Sequence, residues 1–174
     1  SADSIRLLRP VTINDDDLDF LITHHPRDAT PAYTAISYTW GKEPALDTVQ
    51  LNGDCFQLRR NLKDCLRYLG QHALDNAVPW THLWVDAICI DQTNYTERAA
   101  QVRLMDQVYY NAEVVSVWLG LPSHVLELNW EVSLVHLANH AYWTRFWVIQ
   151  EFLLGKRVDI YFGFCSIDSE AFKS

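Results

Sequence analysis

The sequence predicts an α/β fold with a mostly parallel central sheet, and three observations carry the prediction. Strand-like segments alternate with helical segments of 10–15 residues, the pattern of βαβ units. Two of the strand-like runs, His82–Ile90 and Val114–Leu119, are apolar almost throughout, as strands buried on both faces must be. The chain has 174 residues, 49% hydrophobic and 21% charged, an ordinary balance for one domain spanning 1–174.

Taken in order, Ile5–Leu8 is a short extended segment. Thr34–Trp40 is rich in β-formers and stops at Gly41, so it reads as a buried strand opening into a loop. Thr48–Leu51 and Cys55–Leu58 flank Asn52-Gly53, a strong hairpin signal. Leu62, Cys65, Leu66 and Leu69 form the stripe of an amphipathic helix expected to end near Gly70. His82–Ile90 is predicted to be a central parallel strand with one interior acid, Asp86. Asn94 and Glu97 have capping-box spacing, and Val102, Met105, Val108 and Tyr109 carry the helix that follows. Val114–Leu119 is the next strand, closed by Gly120 and Pro122. An aromatic helix is expected from about Thr144 to Leu154, stopped by Gly155, before a last strand, Val158–Phe162. Ligands of such sheets sit outside the carboxyl ends of the strands, which sets the loops after Trp40, Ile90 and Leu119 at one rim.

The bulk properties exclude several classes. A formal net charge of −8 and the lack of any Lys/Arg-rich run argue against nucleic acid, which needs a concentrated basic face. The run Asp15-Asp16-Asp17 reads as a solvated turn. No apolar stretch approaches the roughly 20 residues needed to span a bilayer. Cys55, Cys65, Cys89 and Cys165 have no framework spacing, and with no signal peptide they suit reduced thiols in a cytoplasmic protein. The chain begins at Ser1 and stops soon after a strand-like segment, so an excised domain of a larger protein is the expectation.

Three blocks carry a resemblance. They are Tyr33-Thr-Ala-Ile-Ser-Tyr-Thr-Trp-Gly41; Leu83-Trp-Val-Asp-Ala-Ile-Cys-Ile-Asp-Gln92, continuing through Glu97-Arg98, Gln101, Met105, Tyr109 and Ala112 to Val117-Trp-Leu-Gly120; and Trp143-Thr-Arg-Phe-Trp-Val-Ile-Gln-Glu151. In order and spacing they resemble the signature of the fungal heterokaryon-incompatibility (HET) domains. Asp91 departs from the usual Asn, and the connection between Gly120 and Tyr142 is short for the family. HET domains are similar to Toll/interleukin-1 receptor (TIR) domains. Here Ala35-Ile-Ser-Tyr38 resembles the first-strand box of that fold, and Trp147-Val-Ile-Gln-Glu151 resembles its Trp-Cys-x-x-Glu box. The resemblance implies a TIR-like, flavodoxin-like three-layer fold with an added N-terminal β-hairpin. It also implies a cytoplasmic effector of self/non-self recognition and programmed cell death that hydrolyses NAD as substrate, with no other cofactor, and is activated by self-association. A non-catalytic TIR-like interaction module is the other class it allows.

Glu151 is the catalytic candidate this resemblance implies. Cleaving nicotinamide from NAD passes through an oxocarbenium-like transition state, and the pyridinium leaves neutral without a general acid. A single carboxylate holding the ribose and stabilising the ribosyl cation suffices. An ordinary helix residue paired with Arg145 is the competing reading of Glu151. Trp147, one helical turn earlier, is either a stacking platform for nicotinamide or adenine or a core tryptophan. Ser37, Tyr38, Trp40 and Gly41 end a strand where backbone N–H groups meet a phosphate, or Gly41 simply supplies a turn. Arg145 pairs with pyrophosphate or with Glu151. Asp86 is read as a hydrogen-bonded support near the cleft, Glu97 as a capping acid, and Arg98 and Gln101 as polar support behind the rim. His136 and His140 have i, i+4 spacing but no H-E-x-x-H glutamate, so no metal site is predicted and both read as helix-surface residues. Cys89, placed mid-strand, reads as an inert thiol.

Overall fold

A computed structural model describes residues 3–14, 17–75, 81–121, 139–145, 147–163 and 165–168. Asp15, Asp16, Pro122 and His136 lie outside them. The strands are β1 (Ser4–Ile13), β2 (Leu18–Pro26), β3 (Thr34–Tyr38), β4 (Asp47–Leu51), β5 (Asp54–Leu58), β6 (Leu83–Trp84), β7 (Val114–Trp118), β8 (Val158–Phe162) and β9 (Cys165–Asp168). Among the described residues they form one sheet in the order β5-β4-β2-β1-β6-β3-β7-β8-β9.

The inner block β6-β3-β7-β8 is parallel throughout. Its members stand in the order second, first, third, fourth along the chain. That is the doubly wound order, with the winding reversing between β3 and β7. Antiparallel pairs flank the block, β1 with β2 and with β6, β4 with β5, and β8 with β9, while β2 pairs with β4 in parallel, so the sheet is mixed around a parallel centre. The hairpin at Asn52-Gly53 forms as predicted, with both turn residues at positive φ.

Where the structure departs from the expected elements, local chemistry explains it. The short extended segment is a ten-residue strand whose register shifts between Pro10 and Thr12, because Pro10 has no N–H to donate. Its partner β2 gave little signal, since apolar alternation is broken by Leu21 and fades at His24-His25. Of the predicted strand His82–Ile90, only Leu83–Trp84 pairs. Asp86–Cys89 is a single helical turn, α2, and a short apolar run cannot tell the two apart by period. The Asp86 carboxylate accepts from the Ala87 N–H at 2.7 Å, a local bond that turns the chain out of the sheet. Helix α1 (Arg60–Asp75) runs past Gly70, because Leu69, Gly70 and Ala73 are all buried and packing overrides propensity. The helix after Asn94 is two pieces, α3 (Tyr95–Val102) and α4 (Met105–Asn111), broken at Leu104. The aromatic helix is likewise split into a 3-10 turn, Ala141–Thr144, an extended Arg145, and α5 (Val148–Leu153).

Side chains alternate across the sheet and show what covers each face. Trp118 stacks on Tyr68 of α1, at 5.7 Å between ring centroids. On the other face Trp84 meets Tyr109 of α4 edge-on. A Cβ on Gly155, just after α5, would lie 2.8 Å from Val115 Cγ2, a fit only glycine allows. Helices α1 and α4/α5 therefore lie on opposite faces. Asn61 joins the strand ends: its Oδ1 accepts from Trp118 Nε1 at 2.9 Å, and its Nδ2 donates to the Thr39 carbonyl at 2.6 Å. Asn61→Ala leaves the buried indole N–H without its acceptor. A loss of about 1–3 kcal/mol is expected, read as a lower urea midpoint at unchanged m-value.

Candidate functional site

An open cleft of about 380 Å³ lies at the carboxyl ends of β3 and β6. That is within the roughly 300–1,000 Å³ of small-molecule sites. Trp40 comes from the loop after β3, Asp86 and Gln92 from around α2, Arg98 from α3, and Arg145, Trp147 and Glu151 from the split aromatic segment. Ile90, Val102 and Met105 supply the apolar wall. A slightly larger cavity, about 440 Å³ between Arg27, Tyr33 and Lys156, holds none of the residues predicted for a site.

Glu151 is only 2% exposed, and its carboxylate is densely held. Arg145 donates from Nη1 to Oε2 and from Nη2 to Oε1, both at 3.0 Å, a bidentate pair. The Ser37 hydroxyl donates to Oε2 at 2.5 Å and the Tyr142 hydroxyl reaches the same oxygen at 3.3 Å. Ser37 and Tyr142 are themselves 2.6 Å apart. The extended backbone at Arg145 makes this possible by releasing the guanidinium from helical geometry. Arg145 also lies over the Tyr142 ring, at 5.3 Å. Burial and the Glu151 charge push the Tyr142 phenol upward, so it stays a neutral donor.

Asp86 faces the same cleft. Trp40 Nε1 donates to its Oδ2 at 2.8 Å, and Gln92 Nε2 donates to its backbone carbonyl at 2.8 Å. Burial raises its carboxyl to about 6, against the Trp40 and Ala87 hydrogen bonds and with a further push from Glu151. A raised acid opposes folding once ionised. The native chain keeps this proton between about pH 4 and 6 while the unfolded chain releases it. The contribution is therefore complete below about pH 4 and is lost as pH rises through 6. Asp86→Asn removes it, so the stability of wild type relative to this variant should decline from about pH 4 to 7 in urea titrations.

The other predicted residues divide. Trp147 lines the cleft one turn before Glu151, whose N–H donates to the Trp147 carbonyl at 3.0 Å. Arg98 lines it too, stacked over Tyr95 at 4.9 Å. Tyr38 is buried and, by strand alternation, points away from Ser37 toward the α1 face. Gly41 is exposed at φ 75°, so its geometry is that of a turn, and it does not line the cleft. Glu97 pairs with Arg6 and accepts the Asp91 N–H at 3.0 Å, while the Asn94 side chain caps its own N–H at 3.0 Å. Gln101 is buried and accepts from Arg27 at 2.9 Å, tying α3 to the chain after β2. Neither lines the cleft.

Sequence reasoning missed Tyr142 and Gln92. Tyr142 sits nine residues before Glu151 across a non-helical break, where no periodicity signals a contact. His140 is not on a helix surface: its Nδ1 accepts the Tyr142 N–H at 3.2 Å and caps the 3-10 turn. Cys89 ends α2 rather than lying in a strand, and burial pushes its thiol up to about 12, which keeps it unreactive. Cys65 is buried as well, whereas Cys55 is exposed. No helix among the described residues is long and apolar enough to cross a membrane.

Comparison with known proteins adds to this geometry. The family described as Heterokaryon incompatibility protein (HET) has a sequence model that matches residues 33–129, more than half of the chain. Heterokaryon incompatibility protein 6, OR allele, of Neurospora crassa is 36% identical over 126 residues, 67% of this chain. The match spans 18% of that protein's length. No solved structure matches the chain.

Proposed function

The chain belongs to the heterokaryon-incompatibility (HET) family, and from that premise we propose that it is an effector domain of fungal incompatibility that hydrolyses NAD in the cleft around Glu151. The observation that carries the reading is the convergence of Trp40, Trp147, Arg145 and Glu151 on one cavity at the carboxyl ends of parallel strands, beside the reversal in winding. The doubly wound order and the two short boxes around Ser37 and Glu151 support a TIR-like ancestry for that cavity.

In this reading the indole of Trp147 stacks on the nicotinamide or adenine ring. Arg145 exchanges its carboxylate partner for the diphosphate of NAD, since a guanidinium pairs bidentately with either. The exchange frees Glu151 to accept hydrogen bonds from the ribose hydroxyls and to stabilise the ribosyl cation as the C–N bond breaks. Self-association with like domains favours the rearranged state. A cytoplasmic location follows from the substrate and from reduced thiols.

One observation favours a non-catalytic assembly module instead. Both Glu151 oxygens are occupied, while Leu153 on the same helix is 70% exposed and could meet a partner. Induced expression in a filamentous fungus separates the two. The enzyme reading predicts a falling NAD pool and cell death with the wild-type chain, and neither with Glu151→Gln. Death at constant NAD supports the module.

A further inference from the structure

We propose that Asp86 is the general base of the cleft, taking the proton of the water that attacks the ribosyl carbon. The inference rests on the NAD reading and assigns a step that Glu151 is badly placed to perform. Once Arg145 turns to the diphosphate, Glu151 Oε2 still meets Ser37 and Tyr142, and its Oε1 is taken by the ribose hydroxyls. Asp86 lines the same cavity with one bond from Trp40 on Oδ2 and one from Ala87 on Oδ1, so each oxygen keeps a lone pair. The indole N–H only donates, so it fixes the carboxylate whether or not a proton is bound. Gln92 anchors the backbone of the turn from the other side.

The surroundings suit a base. Glu151 and Arg145 face Asp86 from the segment around α5 and Arg98 lines the same cavity from α3, while Tyr38 of β3, Tyr109 of α4 and Cys89 of its own turn lie within electrostatic reach. Burial keeps the two phenols and the thiol neutral, leaving Arg145, Arg98 and the two carboxylates as the charges that set its titration. Its carboxyl, raised to about 6, is ionised at neutral pH yet basic enough to take a proton from water as the cation forms. The step balances. The C1′–N bond breaks with its electron pair on the nicotinamide nitrogen, the water oxygen bonds C1′, and the water proton passes to Asp86 and then to solvent. NAD and water give nicotinamide, ADP-ribose and a proton.

The test is the pH profile of nicotinamide release by the full chain at high concentration. Wild-type kcat should fall as pH drops below about 6. Asp86→Asn should lower kcat on the order of 100-fold with little change in KM and abolish that acid limb, while Asp86→Glu keeps it. A purely structural role would not remove the limb. An Asp86→Asn variant that retains the limb or wild-type kcat overturns the proposal and leaves Glu151 and the NAD reading standing. Wild type that releases no nicotinamide overturns both together. Because Asp86→Asn could perturb the turn, urea stability is compared alongside: a variant whose stability difference from wild type does not change between about pH 4 and 7 also rules the base out.

Discussion

Glu151→Gln should slow nicotinamide release by about 10²–10³-fold, the cost of losing one preorganised group that meets charge at the transition state. Glutamine keeps the length of the side chain, so the shape of the site is preserved, and its weaker hold on Arg145 leaves the guanidinium readier for the diphosphate, so KM should not rise. What disappears is the negative charge that the ribosyl cation needs. The fall should therefore be in kcat, measured as nicotinamide formed from saturating NAD by wild type and variant side by side. Equal rates would exonerate this carboxylate and send the search to Asp86 alone.

Removing the opposite partner produces the largest stability effect. Arg145→Met should cost about 3 kcal/mol, the lower end of roughly 3–5 kcal/mol for breaking a buried ion pair. It strands a carboxylate that is 2% exposed and loses two bonds of 3.0 Å. The Ser37 and Tyr142 hydroxyls remain and soften the loss. The double variant Arg145→Met/Glu151→Leu should recover most of it, because neither charge is then left to desolvate. Urea unfolding of the four chains gives the cycle. A double variant as weak as the single one would locate the loss in the packing of Arg145 on Tyr142.

The parts of the site that were legible in the sequence share a physical property: their geometry is local. Trp147 and Glu151 are four residues apart in a helix, and that spacing fixes one face. Ser37 and Trp40 lie at the end of an apolar run bounded by a glycine. The Arg145–Glu151 pair was legible too, but what stayed hidden depends on breaks in regular structure. Arg145 reaches Glu151 from an extended residue between a 3-10 turn and a helix, whereas the aromatic pattern reads as one continuous helix. Asp86 looked like an interior strand residue because His82–Ile90 is apolar enough for either state, and its own bond to Ala87 decides for the turn. Strand β2 was hard to see because Leu21 and two adjacent histidines interrupt its alternation. Tyr142 shows the limit most clearly, since only the folded sheet brings its hydroxyl to Ser37.

The central claim is that NAD lodges against the two tryptophans of the cleft. The most direct measurement follows the indole N–H resonances of Trp40 and Trp147 in the Glu151→Gln chain as NAD is added. Both should shift together along one saturable curve. If neither moves at millimolar NAD while the chain remains folded, the cleft does not hold this substrate and the enzymatic account is wrong.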